Sequence, residues 1–270
     1  MAPCVANRTP DGAFRAPAGY LHQDVGYTDL HCHLLPGVDD GPSTLDESLA
    51  YAAAAVAAGT TTVVATPHVE LIDVDELNER VGALRAALDA EGIALDVRRG
   101  GELKPFSIPD LTDRELDLIA HGPPGARWVL YEVPFHGAGE EFVAGAHELR
   151  ARGFGVLLAH PERSRGMVDG SGLAVVEALM ADGAAVAANT GPLLGREGAE
   201  RRRAAEHLMR RCVPTVIATD AHAPSRPYTL AMAAEAVEAV TGRADRARRL
   251  TTDAPARLLV EGVRAVRHAA

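Results

Sequence analysis

Histidine and acidic residues recur at one kind of place in this sequence, directly after short apolar or β-branched runs. His31 and His33 follow the first run, with one residue between them. Alternate residues of an extended chain point to the same face, so both imidazoles can reach one ion. Asp40 lies in the loop after this first run, and the ends of later runs carry further residues that could bind a metal: His68, Glu102, Glu132, His160, Asp220 and His222. Their common placement favours a metal centre over chance surface histidines.

The candidate ligands are imidazoles and carboxylates, without thiolates. This combination favours zinc, manganese, iron or magnesium over a structural zinc site built from cysteines. Cys32 lies between His31 and His33. Its side chain should therefore point to the opposite face, and we interpret it as a core residue.

Apolar runs alternate with alanine-rich helical patterns, which is typical of βα units around a parallel sheet. The runs predict strands at 26–30, 61–66, 94–101, 128–133, 154–159, 184–189 and 214–219. Helices are predicted at 45–58, 73–92, 139–152, 172–182, 197–211, 227–241 and 254–267, with one short helix within 105–125. This number of strands favours a closed or nearly closed parallel barrel over an open sheet. In such a barrel the active site is built at the carboxyl ends of the strands, where the candidate ligands fall.

Local signals mark the ends of several elements. Thr44 with Glu47 three residues later is a capping-box pattern at the start of the first helix. Gly59 and Gly92 are expected to end the first two helices, because glycine accepts the left-handed conformation that helix ends require. Gly191 is expected to form a tight turn beside the site.

The composition excludes nucleic-acid binding through a basic or aromatic surface. The chain has 27 Lys and Arg against 37 Asp and Glu, which gives a net charge of −10. Such a chain has no global positive charge to offer to phosphates. Only 4% of its residues are aromatic, which leaves little material for base stacking. We therefore expect no nucleic-acid partner.

The same composition indicates a cytoplasmic protein without membrane insertion. No apolar run reaches the roughly 18 residues that cross a bilayer. Residues 1–25 lack the apolar stretch of a signal peptide. Three cysteines at irregular spacing argue against a disulfide framework and fit a reducing compartment. We expect residues 1–25 to be a loose extension and residues 26–270 to form one domain.

Several short motifs occur in the order found in one known superfamily. They are DLHCHLLPGVDDG at 29–41, ATPH at 65–68, GGE at 100–102, LYEVPF at 130–135, LLAHPERS at 157–164, ANTGPLLG at 188–195 and TDAH at 219–222. Together they resemble the polymerase and histidinol phosphatase (PHP) superfamily. The resemblance is closer to its branch of bacterial capsule-associated tyrosine phosphatases of the CpsB/YwqE type.

This resemblance implies a distorted (β/α)7 TIM-like barrel, the PHP fold, with three divalent metal ions that could be Mn, Fe, Zn or Mg. By analogy, the first ion takes His31, His33, Glu102 and Asp220. The second ion shares Glu102 and adds Glu132 and His160, and the third takes Asp40, His68 and His222. The resemblance also assigns phosphate binding to Arg163 and Arg226, and catalytic roles to these arginines together with His160 and Asp220.

Such a site suits hydrolysis of a phosphate monoester. Metal ions make hydroxide available near neutral pH and neutralise the transferring phosphoryl group, while arginine binds its remaining oxygens. The resemblance implies attack of a metal-bound hydroxide on phosphorus. It also implies that the substrate is a phosphotyrosine tail of a bacterial polysaccharide-biosynthesis kinase. His136 lies four residues after Glu132, and we interpret it as a loop histidine at the rim.

Two other hydrolytic mechanisms find little support in the sequence. No arginine stands six positions after any cysteine, which excludes the thiol-based tyrosine phosphatase loop. An amidohydrolase-type barrel often bridges its metals through a carboxylated lysine. Only Lys104 could serve here, and it lies two residues after Glu102 rather than on a separate later strand.

Two alternatives share the same metal centre. One is a phosphatase of small molecules, such as histidinol phosphate or another sugar or nucleotide metabolite. The other is a non-catalytic, metal-bound regulatory module. A rim open enough for a protein tail would favour the tyrosine phosphatase, and a deep enclosed pocket would favour a metabolite.

Overall fold

The computed structural model describes residues 26–264, so the predicted extension at 1–25 lies outside the described residues. Every pairing between the strands of this range is parallel. The strands are β1 (Tyr27–Cys32), β2 (Thr60–Ala65), β3 (Asp96–Arg99), β4 (Glu102–Leu103), β5 (Trp128–Glu132), β6 (Gly155–Ala159), β7 (Ala185–Asn189) and β8 (Val216–Ala218). A strand lies within or across each predicted run, and most of these runs are apolar because strands of a parallel sheet are buried on both faces.

Helices follow most of the strands. They are α1 (Leu45–Ala57), α2 (Leu77–Ala90), α3 (Asp113–Ile119), α4 (Glu140–Ala151), α5 (Ser171–Ala181), α6 (Thr190–Leu193), α7 (Ala199–Arg210), α8 (Leu230–Thr241), α9 (Ala244–Arg248) and α10 (Ala254–Glu261). Two of them, α6 and α9, were not predicted, because four or five residues are too few to show a helical pattern. No helix within 26–264 is long and apolar enough to span a bilayer.

The predicted helix ends are confirmed. The Thr44 hydroxyl accepts a hydrogen bond from the N–H of Glu47 at 3.3 Å, and the Glu47 carboxylate accepts one from the N–H of Ser43 at 2.7 Å. Gly59 and Gly92 have φ values of +92° and +67°, in the left-handed region that glycine accepts without steric cost.

The strands form two parallel sheets, with the orders β1-β2-β3 and β4-β5-β6-β7-β8. Isolated parallel bridges connect the sheets at both sides. Cys32 pairs with Ala221, and His68 pairs with Glu102. Both bridges lie at the carboxyl ends of the strands, so the two sheets meet where the candidate ligands were predicted.

The third predicted strand is interrupted at Gly100 and Gly101, which separate β3 in the first sheet from β4 in the second. A Cβ atom on Gly100 would lie 2.5 Å from Val64 Cγ1, and one on Gly101 would lie 2.7 Å from Val69 Cγ2. Both distances are too short for a side chain. The two glycines therefore let the chain pass close to its neighbours and carry Glu102 into the second sheet.

The core is built mainly from alanine, valine and leucine on both sides of the strands. One cluster packs between strands and helices and includes Cys32, which is fully buried, as predicted. A second cluster contains alternate residues of single strands, such as Leu157 and Ala159 of β6. The last helix packs against this second cluster, and Trp128 Nε1 donates to the carbonyl of Leu258 at 2.9 Å.

Replacing Gly100 by alanine tests whether a glycine is needed where the chain passes from β3 to β4. Gly100→Ala is expected to lower the free energy of unfolding by about 1–3 kcal/mol, because the buried Val64 must move. Gly82→Ala is the matched control, since Gly82 lies on α2 where a Cβ atom meets nothing within 4 Å. That change should raise the free energy of unfolding by about 0.5–1 kcal/mol. Urea unfolding measures both, and equal effects would contradict the argument.

Candidate metal centre

The predicted ligands converge at the carboxyl ends of the strands. Their ligand atoms fall into four groups, within each of which all atoms lie within 4.8 Å of one another. The groups are His33, Asp40, His68 and His222; His31, His33 and Glu102; His31, His160 and Asp220; and Glu102, Glu132 and His160. All nine residues selected from the sequence are present in these groups. Each group contains residues that are far apart in the sequence.

His31 and His33 lie close to both Glu102 and Asp220. The two Nε2 atoms of the histidines are 3.2 Å apart. Asp220 Oδ1 lies 3.1 Å and 3.4 Å from these nitrogens, and Glu102 Oε2 lies 3.4 Å and 3.3 Å from them. Neighbouring ligands about 2.0–2.1 Å from a tetrahedral metal ion are separated by about 3.3–3.4 Å. Each carboxylate oxygen is therefore at the distance from the two nitrogens that ligands of one ion would have.

A carboxylate outside the predicted ligand set orients His33. Asp39 Oδ2 lies 2.6 Å from His33 Nδ1, and the Asp39 carboxylate also accepts the N–H groups of Gly41 at 2.9 Å and His68 at 3.1 Å. When Nδ1 of His33 carries the hydrogen and donates it to Asp39, Nε2 keeps a free lone pair that is directed at the centre. A carboxylate behind a ligating histidine commonly has this role. The only sequence signal for Asp39 was its place beside Asp40 in the DDG motif.

His222 is oriented in a similar way by the backbone. Its Nδ1 lies 3.0 Å from the carbonyl oxygen of Asp220. Its Nε2 is buried and has no hydrogen-bond partner among the described residues, although Asp40 Oδ1 is 3.0 Å away. A buried ring nitrogen without a hydrogen bond is unfavourable unless another group compensates it. A cation between His222 and Asp40 would do so.

The carboxylates of the centre have unequal electrostatic surroundings. Burial by itself raises the pKa of Glu102, but the nearby His31 and His160 hold that pKa well below its usual range. Burial also acts on Asp220, whose pKa is nevertheless lowered by Arg163 and the histidines. At Glu132, Lys104 and His68 compensate only in part, and burial together with Glu102 raises its pKa to about 8. The part of the centre around Glu132 therefore has too little positive charge to keep this carboxylate readily ionised.

Two candidate ligands adopt backbone conformations that are uncommon outside glycine. His160 follows β6 with a φ of +37°, and Asp220 lies two residues after β8 with a φ of +47°. A non-glycine residue held in this region costs on the order of 1–3 kcal/mol. The conformation turns each side chain toward the centre directly after its strand. Such strain is common where a functional group must be held in place.

Arg163, which was predicted to bind phosphate, lies at the edge of this centre. Its side chain is buried, and one Nη1 hydrogen bond goes to Asp220 Oδ2. The other side of the guanidinium binds Glu197 through Nε at 2.8 Å and Nη2 at 2.5 Å. Glu197 was missed in the sequence because it carries no motif and lies 34 residues from Arg163.

Gly191 makes room for Glu197. It lies in the helical turn α6 rather than in the tight turn predicted for it. A Cβ atom at this position would be 2.3 Å from Glu197 Oε1. The glycine of the ANTGPLLG motif therefore allows the carboxylate to approach and hold Arg163.

Arg226 reaches the same carboxylate from the other side of the site. Its Nη1 lies 3.3 Å from Asp220 Oδ2, and its Nη2 lies 3.6 Å from Asp40 Oδ2. Two backbone hydrogen bonds between His222 and Arg226 fold the intervening loop back toward the centre. Both predicted arginines thus face Asp220.

Comparison with known proteins agrees with this geometry. Residues 27–260 match the family described as capsular polysaccharide synthesis, CpsB/CapC. The chain belongs to the CpsB/CapC family. The resemblance seen in the sequence motifs is thereby confirmed.

Relatives of this CpsB/CapC chain cover most of its length. Tyrosine-protein phosphatase YwqE of Bacillus subtilis is 30% identical over 200 residues, which are 72% of this chain and 76% of YwqE. CapC of Staphylococcus aureus is 26% identical over 209 residues, which are 75% of this chain and 80% of CapC. A chain from the crystal structures of YwqE and of CpsB from Streptococcus pneumoniae, unique metal-dependent tyrosine phosphatases, superposes with a TM-score of 0.75 at 25% identity. That match covers 90% of this chain and 99% of the other.

More distant structures share only the fold. The phosphotriesterase from Mycobacterium tuberculosis has a TM-score of 0.53 at 15% identity, with 87% of this chain and 94% of that chain covered. Histidinol phosphate phosphatase from Lactococcus lactis has a TM-score of 0.50 at 12% identity, with 82% of this chain and 94% of that chain covered. The CpsB/CapC chain is therefore a mixed α/β protein with parallel sheets, similar to barrel-type hydrolases.

A cavity of about 740 Å³ opens above the centre of the CpsB/CapC chain. Seven of the nine candidate ligands line it, together with Arg163 and Arg226. His31 and His33 lie beneath it and are almost fully buried. His136 lines the rim as an exposed loop residue, as interpreted from the sequence. Lys104, at the cavity edge, pairs with Glu70.

Removing the charge of Asp39 tests its role behind His33. Asp39→Asn is expected to weaken metal binding by about 10–100-fold, because His33 loses the partner that orients it. Asp89→Asn, an exposed position on α2, is the control and should leave metal binding unchanged. Metal content after dialysis against buffers of set free-metal concentration measures the effect. Equal metal content in both variants would contradict it.

Loss of Glu197 should affect anion binding and leave the metals in place. In Glu197→Gln, Arg163 loses the charged bidentate partner that holds its guanidinium in place. The affinity of the protein for inorganic phosphate should therefore fall by about tenfold. Glu206→Gln is the control, because Glu206 also pairs with two arginines of α7 but lines no part of the cavity. Calorimetric titration of the metal-loaded protein with phosphate gives the affinities. A parallel loss of metal would refute the assigned role of Glu197.

Proposed function

We propose that this chain is a metal-dependent phosphomonoesterase whose substrate is phosphotyrosine in a protein. The observation that carries this proposal is the convergence of nine candidate ligands and two arginines on one open cavity. The similarity to YwqE, a tyrosine-protein phosphatase, supports the choice of substrate. The substrate in this proposal is a phosphotyrosine tail of a bacterial kinase for polysaccharide biosynthesis, which the family membership supports.

Three divalent ions would use every candidate ligand. The first ion would be held by His31, His33, Glu102 and Asp220, the second by Glu102, Glu132 and His160, and the third by Asp40, His68 and His222. His33 is close enough to serve the first or the third ion. Because Asp39 occupies its Nδ1, only Nε2 remains, and that atom lies 3.2 Å from His31 Nε2. The oxygen and nitrogen donors suit Mn, Fe, Zn or Mg.

The bound ions would supply a water-derived nucleophile near neutral pH and neutralise charge on the phosphoryl group. The protein supplies the remaining contacts. Arg163 uses three of its N–H groups on Asp220 and Glu197, so two of the five that a guanidinium carries remain for a phosphate oxygen. Arg226 is 27% exposed and faces the cavity, where it can bind a second oxygen.

Asp220 and His160 contribute by position as well as by charge. Asp220 directs Oδ1 toward the histidines and Oδ2 toward both arginines. His160 places Nε2 2.9 Å from Glu102 Oε1, on the side of the centre where Glu132 lies. These contacts support the catalytic roles given to Arg163, Arg226, His160 and Asp220.

The proposal also includes the overall fold, the domain bounds and the location of the protein. Counting β3 and β4 as one interrupted strand, the two sheets make a distorted (β/α)7 barrel, and residues 26–270 form one phosphatase domain. The two bridges between the sheets support this arrangement. We place the protein in the cytoplasm, where such a kinase tail would be accessible.

Metal removal is the direct test of the mechanism. Chelation should abolish turnover of p-nitrophenyl phosphate, and addition of Mn, Fe, Zn or Mg should restore it. A phosphotyrosine peptide should then be hydrolysed in preference to histidinol phosphate. Undiminished activity after complete metal removal would refute the mechanism. Preference for histidinol phosphate would instead identify a small-molecule phosphatase.

Substitution of the ligands tests the site. His31→Ala and Asp220→Ala should each reduce kcat by at least about 100-fold, because the first ion would lose a ligand. His147→Ala, at an exposed position of α4, is the control and should retain full activity. Full activity of either ligand variant would contradict the assignment.

A further inference from the structure

The phenylalanines of this chain are divided between the core and the cavity. Four of the five lie among the described residues. Phe142 and Phe154 are buried, whereas Phe106 and Phe135 are 57% and 46% exposed. Both exposed rings line the cavity above the candidate metal centre. An exposed phenylalanine forgoes the stabilisation that burial would give, so two of them at a polar site indicate a ligand with an apolar part.

Phe135 lies close to the reacting part of the site. It stands three residues after Glu132, and its ring centroid is 5.7 Å from that of His160. In an aryl phosphate only one oxygen separates the ring from phosphorus. A phosphate held at the centre would therefore bring an attached ring within contact distance of Phe135.

A charged side chain lies over the ring of Phe135. The Arg201 guanidinium carbon lies 5.5 Å from the centroid of the ring. Arg201 Nη1 in turn donates to Glu197 Oε2 at 2.9 Å, the same carboxylate that holds Arg163. One acidic residue thus sets the place of an arginine proposed to bind phosphate and of the aromatic ring beside it.

Arg163 and Phe135 line the same cavity and suit the two parts of an aryl ester. Arg163 is directed at the anionic end, and the ring of Phe135 provides an apolar surface next to it. Aromatic rings in contact attract each other beyond the effect of the area that they bury. An alkyl phosphate has no ring to make this contact.

Resting on the proposed phosphomonoesterase function, we propose that Phe135 is a specificity-determining residue that packs against the aryl group of the substrate. Arg201 is the positioning residue that holds the ring. The site then selects aryl over alkyl phosphate esters through contact with the ring as well as through the better leaving group.

Non-hydrolysable ligands separate ring contact from leaving-group chemistry. Phenylphosphonate and methylphosphonate carry the same anionic end and differ in the ring. In calorimetric titrations of the metal-loaded protein, Phe135→Ala should weaken binding of phenylphosphonate by about tenfold and change binding of methylphosphonate by less than about twofold. Val260→Ala is the matched control, because Val260 is an exposed apolar residue on α10 that does not line the cavity.

The outcomes distinguish this proposal from the proposed function. If the wild-type protein hydrolyses phosphotyrosine but Phe135→Ala weakens both phosphonates equally, or neither, Phe135 does not recognise the ring. If the protein hydrolyses no phosphomonoester, the proposed function fails, and the two phosphonates still report directly whether the cavity prefers an aryl ligand. Loss of ring preference in Phe135→Ala together with unchanged metal content supports the proposal.

Discussion

Compensation of buried charge is the constraint on which this structure depends. Glu102 and Asp220 are almost completely shielded from solvent, and so are the histidines around them. Removing ionised groups from water costs several kcal/mol each unless opposite charge lies close by. Imidazole rings and Arg163 supply part of that charge, while Glu132 is left without enough of it. Divalent cations would complete the balance, and the rest of the fold places the ligands at the spacing that such ions require.

The fold meets this constraint at local cost. Parallel strands bring their carboxyl ends to one edge, but alignment of the strands alone does not aim the side chains. His160 and Asp220, which lie just after strands β6 and β8, adopt left-handed backbone conformations. Gly100 and Gly101 have no side chains, which lets the chain leave the first sheet there and brings Glu102 into a bridge with His68. Stability is given up at these positions in exchange for the geometry of the site.

Most of the candidate ligands could be predicted because they lie at or soon after the end of a strand whose apolar pattern is visible in the sequence. His31 and His33 show the clearest case, since the alternation of side chains in a strand fixes their common direction. The roles of Asp39 and Glu197 could not be predicted in this way. Asp39 acts through a loop that folds back on His33, and Glu197 meets Arg163 only after two helical segments have packed. The break between β3 and β4 was also hidden, because two glycines in a strand pattern do not show which sheet the chain enters next.

Asp220 has a consequence for the order in which ligands bind. One of its oxygens faces the histidine nitrogens and the other faces two guanidinium groups. A cation that attracts the Asp220 carboxylate would weaken the hydrogen bonds of this carboxylate to the arginines. Arg163 and Arg226 would then be freer to bind an anion. By thermodynamic linkage, an anion that takes up the arginines must strengthen cation binding by the same factor. The effect of metal on phosphate affinity and the effect of phosphate on metal affinity would therefore measure one coupling free energy, to which this side chain contributes.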